Sequence, residues 1–295
     1  MAFRCAAASL ARDEPSVGTA STVRAFLLVE NAGPWGTDAL RDARLPDEVK
    51  DGLRARASAA GVRPLLVRRH GGAPSGPGLR VFAAYADAAA PWMETATLAA
   101  PEVLLDLDLD ALGRGRSPGL TPTDEPVFCV CTHGRHDACC AELGRPAVAT
   151  LAAAHPEHAW EVSHIGGDRF AANLLVLPHG LYYGRVTPAD APALAATHLD
   201  GHLDLDLLRG RSGFPFPVQV AEVAVRRETG DTRLDAVRLV ALGTDGDDSV
   251  VSLDVGDASY VVRVRRTTGE REQLTCRATR DSHPTAYEVV ALTRR

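Results

Sequence analysis

Four of the six cysteines, Cys129, Cys131, Cys139 and Cys140, are crowded into a dozen residues. Cys131 and Cys140 bound the segment CTHGRHDACC, with eight residues between them. A second segment, WEVSHIGGDRF over residues 160–170, offers His164 and, after three intervening residues, Asp168. Soft thiolate and borderline imidazole ligands on two loops point to a metal or redox centre. Gly166 and Gly167 permit a tight turn there and leave no side chain to block close approach. Cys131 and Cys140 are therefore the primary ligand candidates, with His164 and Asp168 opposite them. His133 and His136 read as neighbours or exposed residues, although either of them, or Cys139, offers another fourth ligand. Cys129 shares a strand face with Cys131 by the period of two.

These residues need strand ends and helix starts to hold them. Residues 126–130 (PVFCV) read as a strand, and residues 140–154 as a helix containing Pro146. Cys131 then lies at a strand end and Cys140 at a helix start, where free N–H groups and partial positive charge stabilise thiolate or sulfide. A second strand spans 160–163; HIGGDRF over 164–170 reads as a loop, with a single helical turn after it. Segments 174–177 and 181–186 form a hairpin around Pro178, His179 and Gly180. Thr187 and Pro188 open a closing helix over 188–199. The order β-α-β-(short α)-β-β-α is that of a thioredoxin-like domain.

The first third gives a strand over 23–31, a helix over 46–60 stopped by Gly61, and strands over 62–69 and 79–85 around the loop GGAPSGPG. This β-α-β-β order partly repeats the central one, so the N-terminal half reads as a degenerate copy. The stretch VLLDLDLD over 103–110 fits either a strand or a helix start, and its acids read as a solvated face. A Pro/Gly-rich linker over 113–125 marks a boundary. The last third gives a helix over 217–228 and alternating segments over 235–242, 249–255, 258–266, 271–276 and 286–292. The turn TDGDD joins the first two. The expected fold class is α/β: thioredoxin-like domains over 1–120 and 121–210, then a helix with a small antiparallel β domain over 211–295.

The central motifs, CTHGRHDACC and WEVSHIGGDRFAANLLVLPHGLYYGRV, resemble the sucrase/ferredoxin-like family, a branch of the thioredoxin-like [2Fe-2S] ferredoxins. The likeness reaches back to LLVEN, GPWG and DAL near residues 27–40 and covers roughly residues 5–225. It implies a soluble electron carrier whose cluster is held by two cysteines in C-x8-C and two histidines in an H-I/V-G-G-H loop. Cys131, Cys140 and His164 match those positions; Asp168 stands where the second histidine would be. The resemblance also implies that the two cysteines bind one iron and the second loop the more exposed one. Two thiolates and two neutral imidazoles leave an oxidised cluster without net charge; a carboxylate adds one negative charge. The expected potential therefore lies between plant-type and Rieske-type values. A histidine ligand also couples electron uptake to proton uptake. Nothing in the residues supports a sucrase.

Composition narrows the classes. Of 295 residues, 45% are hydrophobic and 24% charged, as in a globular chain with a substantial core. The net charge of −6 argues against a nucleic-acid or anionic-membrane binder, which needs a basic footprint. No apolar run suffices to span a membrane, and the N-terminal residues make a poor signal peptide. The expected compartment is the cytoplasm, where clustered thiols more often mean metal or catalysis than disulfides. Cys5 stands alone and reads as a buried small hydrophobe. Cys139 reads as a bystander, and Cys276 and His283 as structural or exposed. No P-loop or GxGxxG is present. The alternatives to a [2Fe-2S] carrier serving a redox partner protein are a Zn-stabilised interaction module and a cluster-free thiol oxidoreductase. The C-x8-C spacing, unlike C-x-x-C, disfavours the last.

Overall fold

A computed structural model describes residues 2–72 and 75–295 of the chain. It begins with α1 (Cys5–Ala11), followed by β1 (Ala25–Glu30), α2 (Asp47–Ala60), β2 (Val62–Arg68), β3 (Leu79–Tyr85) and β4 (Trp92–Leu98). A 3-10 turn precedes α3 (Leu109–Gly113), then β5 (Thr121–Pro122), β6 (Val127–Cys131), α4 (Ala138–Ala154) and β7 (Ala159–Val162). β8 (Leu174–Leu177), β9 (Leu181–Tyr183), α5 (Asp190–Leu199), β10 (Leu208–Arg211) and α6 (Phe216–Thr229) complete the larger part. The chain ends in β11 (Val237–Asp245), β12 (Asp248–Val255), β13 (Ala258–Thr268) and β14 (Thr285–Arg294).

The architecture is mixed α/β. Ten strands form one sheet in the order β10-β9-β8-β6-β7-β2-β1-β3-β4-β5. Its two halves repeat one plan. β1 runs parallel to β2 and antiparallel to β3, which pairs antiparallel with β4. β6 likewise runs parallel to β7 and antiparallel to β8, which pairs antiparallel with β9. The halves meet where β2 pairs antiparallel with β7. That joint is pinned by Glu161, which accepts from Arg68 at 2.7 Å and from the Thr132 hydroxyl at 2.7 Å. The expectation of a partial internal copy is thus met at the level of strand order and sense. The inner strands β1, β6 and β8 are buried along their whole length, as their near-continuous apolar sequences require.

Local chemistry explains most boundaries. Gly61 ends α2 in the left-handed conformation with φ of 68°. The open stretch over 103–110 resolves as a 3-10 turn and α3, because the Asp108 side chain caps the helix by accepting from Ala111 N–H. Thr187 and Asp190 bond to each other's backbone N–H at the entry to α5. Four elements went unread in the sequence: α1, too short for a periodic signal, β4, β10, and the two-residue β5, which pairs with β4 inside the expected linker over 113–125. The predicted loop over 71–78 separates β2 from β3, with Ala73 and Pro74 outside the described residues.

The last four strands form a separate antiparallel sheet in chain order, and α6 packs on it through Val218, Ala221 and Val225. The predicted antiparallel sheet behind a helix is present. Residues 271–276 are not a strand; they belong to a strap between β13 and β14 whose one bridge joins Glu272 to Ser282. Among the described residues, no helix is long and apolar enough to cross a membrane.

Candidate metal centre

Cys131 closes β6 and is buried together with Cys129, Cys140 and Trp160 in one core cluster. Asp137 begins α4 by accepting the Cys139 N–H at 2.9 Å, which sets Cys139 and Cys140 in the first helical turn. The helix lies close over the end of β6. A Cβ on Gly144 would collide with the Cys131 carbonyl oxygen, so only glycine allows that approach. The two thiols are neighbours: the Cys140 thiol pulls the Cys131 thiol below its ordinary range, while Cys131, with burial, pushes the Cys140 thiol up.

The loop between β7 and β8 supplies the opposite side. Gly166 and Gly167 have φ of 98° and 79°, which no other residue adopts without strain. Arg209 holds the loop from beneath. Its guanidinium, almost fully buried, donates to the Gly166 carbonyl at 3.1 Å and to Asn173 Oδ1 at 2.7 Å. Burial brings its pKa down to about 10. A side chain at Gly167 would strike this guanidinium. Asp168 is buried, with Oδ1 at 3.2 Å from Cys140 Sγ and 2.9 Å from His164 Nδ1. Burial works to raise its carboxyl, but the adjacent His164 ring and Cys140 thiol outweigh it and hold the pKa below the usual carboxylate range.

The structure therefore brings Cys140, Asp168 and His164 into one line of contacts, with Cys131 beside Cys140 in the same buried cluster. It also adds His136, whose ring stacks on His164 with centroids 3.7 Å apart. One ligand atom from each of His136, His164 and Asp168 lies within 4.8 Å of the others, and such a group can hold a metal ion. His133 is occupied elsewhere: Nε2 donates to the Gly36 carbonyl at 2.6 Å, and Nδ1 accepts the His164 N–H at 3.2 Å. His136 and His164 open onto a surface cleft of about 390 Å³ that Arg54 and Arg63 also line. Of the arginines near these motifs, Arg135 and Arg145 are exposed. Arg169 pairs with Glu14 at 2.6 Å and Arg185 donates to the Glu14 carbonyl at 2.6 Å, so both fasten the N-terminal segment.

Two cysteine readings need correction. Cys5 is buried, as expected, but not alone. Cys139 Sγ lies 3.4 Å from Cys276 Sγ, which lies 3.5 Å from Cys5 Sγ, and Asp137 joins them. Cys139 thus does not stand beside Cys140 as a fourth ligand; it faces the other way, toward Cys276. Cys276, half-buried, completes this second group, which can also hold a metal ion. The sequence signal was the number of thiols left without a role. Arg209 left no such signal, because one arginine among so many carries no information.

Comparison with known proteins gives a single result. A family model described as sucrase/ferredoxin-like matches residues 16–210, two thirds of the chain. No curated protein and no solved structure matches.

Proposed function

The chain belongs to the sucrase/ferredoxin-like family, and from that premise we propose that it is an electron carrier holding one [2Fe-2S] cluster, with each half of the large sheet thioredoxin-like. The observation that carries this reading is the chain of contacts from the buried Cys131–Cys140 pair through Asp168 Oδ1 to His164 Nδ1. The donor set fits the group. His164 Nδ1 is buried and lies 2.9 Å from Asp168 Oδ1, yet off the direction a hydrogen bond requires. Two lone-pair donors converge there without satisfying each other, as ligand atoms around a cation do.

Cys131 and Cys140 would hold one iron, and His164 with Asp168 the other. When bound, such a cluster supplies one-electron exchange at a potential set by its ligands and their hydrogen bonds. The protein's residues do the rest. Burial of both cysteines keeps water from the sulfurs. Arg209 fixes the loop bearing His164 and Asp168, and its positive charge sits beside that carboxylate. His164 lies at the wall of the open cleft. The same cleft offers a redox partner protein the shortest approach.

The competing reading is a zinc-held interaction module, favoured by the compact His136, His164 and Asp168 group. The test is purification without oxygen, followed by metal analysis and visible and electron paramagnetic resonance spectra. The carrier reading expects a red-brown protein with about two irons and two sulfides per chain. Cys131→Ser should abolish the colour. A colourless protein that loses zinc in the His164→Ala variant would establish the competing reading instead.

A further inference from the structure

The second thiol group lies outside the proposed cluster and draws on three distant segments. Cys5 opens α1, Asp137 and Cys139 flank the start of α4, and Cys276 lies on the strap between β13 and β14. Cys5 and Cys276 both fall outside the stretch that matches the family model. We infer that Cys5, Cys139, Cys276 and Asp137 form a structural zinc site that fastens the chain's N-terminal helix and its C-terminal strap to the first turn of α4. This inference does not depend on the identity of the cofactor at Cys131 and Cys140.

Spacing is the first argument. Zinc binds thiolate at about 2.3 Å, so a tetrahedral site separates neighbouring sulfurs by about 3.8 Å and a sulfur from a carboxylate oxygen by about 3.5 Å. The observed separations are 3.4 and 3.5 Å between sulfurs and 3.6 Å from Cys5 Sγ to either Asp137 oxygen. All six cysteines are free thiols. Sulfurs this close suit one ion, and tetrahedral sulfur-rich sites favour zinc.

Orientation is the second. Asp137 is aimed by two backbone donors, Cys139 N–H onto Oδ1 at 2.9 Å and Cys276 N–H onto Oδ2 at 2.7 Å. Cys5 N–H in turn points at Cys276 Sγ at 3.4 Å. Backbone donors directed at ligand atoms are the outer contacts that hold metal ligands in place. A packing role explains the group poorly. The apolar cluster around these thiols contains only Ala6 and Ala171 besides the three cysteines.

Need is the third. The strap carries one β-bridge and few anchors, among them Arg277 Nη1 donating to the Arg135 carbonyl at 2.6 Å and Arg12 paired with Glu272 at 3.3 Å. A metal at Cys276 would replace the missing core. The ligands lose protons on binding, so affinity should fall in acid.

The test uses the full-length chain, purified anaerobically, with metals counted by elemental analysis and native mass spectrometry. Wild type should carry one zinc per chain. The C131S/C140S variant should keep that zinc while losing iron, and C5S/C276S should lose the zinc while keeping iron and colour. This separates failure here from failure of the cluster reading. Should C5S/C276S not fold, the wild type still decides. One equivalent of cobalt added to zinc-free protein should give a thiolate-to-cobalt charge-transfer band, and Cys276 should alkylate only in the metal-free form. The inference is overturned if zinc-free protein takes up neither metal at one equivalent, if Cys276 alkylates equally with and without zinc, or if C5S/C276S folds and retains its zinc.

Discussion

Cys139 and Cys140 are neighbours in the first turn of α4, yet they belong to two different constellations. Successive helical residues point about 100° apart, so one turn serves both. Cys140 faces the end of β6 and the glycine turn; Cys139 faces α1 and the strap. The first constellation draws on residues 131–168 and opens onto a cleft through His136 and His164. The second joins residues 5, 137, 139 and 276 and opens only at the half-buried Cys276. A site that exchanges electrons needs exposure on one side, whereas a staple needs distant segments. Position in the fold separates the two roles, although the ligand types are nearly the same.

The largest expected effect follows from swapping the two lesions. Cys140→Ser should remove all iron and visible absorbance and leave zinc at one per chain. Cys139→Ser should do the reverse. Metal analysis of the two variants side by side checks this, and a parallel loss of both metals in either one would merge the sites into one. Next in size is a lesion to the shared support. Gly144→Ala drives a methyl into the Cys131 carbonyl, and overpacking of this kind costs roughly 1–3 kcal/mol. Chemical denaturation should show that loss, and both metal contents should fall together because the whole first turn of α4 moves.

The two sites were legible to different degrees. Cys131, Cys140, His164 and Asp168 lie close in sequence at strand and helix ends, so local rules located them. The strand and helix periods also gave most of β1, α2, β3, β6, β8 and α6 to within a few residues. The second site needed tertiary information. Nothing local connects Cys5 to Cys276; they meet only because α1 and the strap both pack at the start of α4. The same limit hid Arg209, which acts through the Gly166 carbonyl and Asn173 rather than through any motif. The meeting of β2 with β7, which turns two similar halves into one sheet, likewise depends on long-range pairing that no short pattern encodes.

A smaller effect sharpens the functional half of the comparison. Asp168→His exchanges a carboxylate for a neutral ligand and removes one negative charge from the site. If Asp168 binds iron, the reduction potential should rise by roughly 100 mV, within the interval between plant-type and Rieske-type centres. Anaerobic potentiometric titration measures it. An unchanged potential and spectrum would take Asp168 out of the ligand set and leave His136 as the fourth ligand. The same substitution should not alter zinc at the other site.

The smallest effect concerns the metal-free chain and supplies the baseline for both sites. His179 and His198 lie at the far end of β8 and β6 from Cys131, edge to face at 4.9 Å, with His198 also against Phe128. Burial, aided by Arg211, lowers His179 to about 4; burial, aided by His179 and Arg211, lowers His198 to about 3. In the unfolded chain both return to about 6.5. Below that value the unfolded state binds more protons than the native one, so stability must fall as pH falls. The loss begins near pH 7 and continues until the native pair itself protonates near pH 4 to 3. Its slope should be roughly 2 kcal/mol per pH unit between pH 6 and 5. Denaturation of metal-free protein across this range measures the slope, and H179Q/H198Q should flatten it. Any steeper fall in the metal-loaded protein then belongs to ligand protonation. Comparing C5S/C276S with C131S/C140S at each pH would assign that remainder to one end of Cys139–Cys140 or the other.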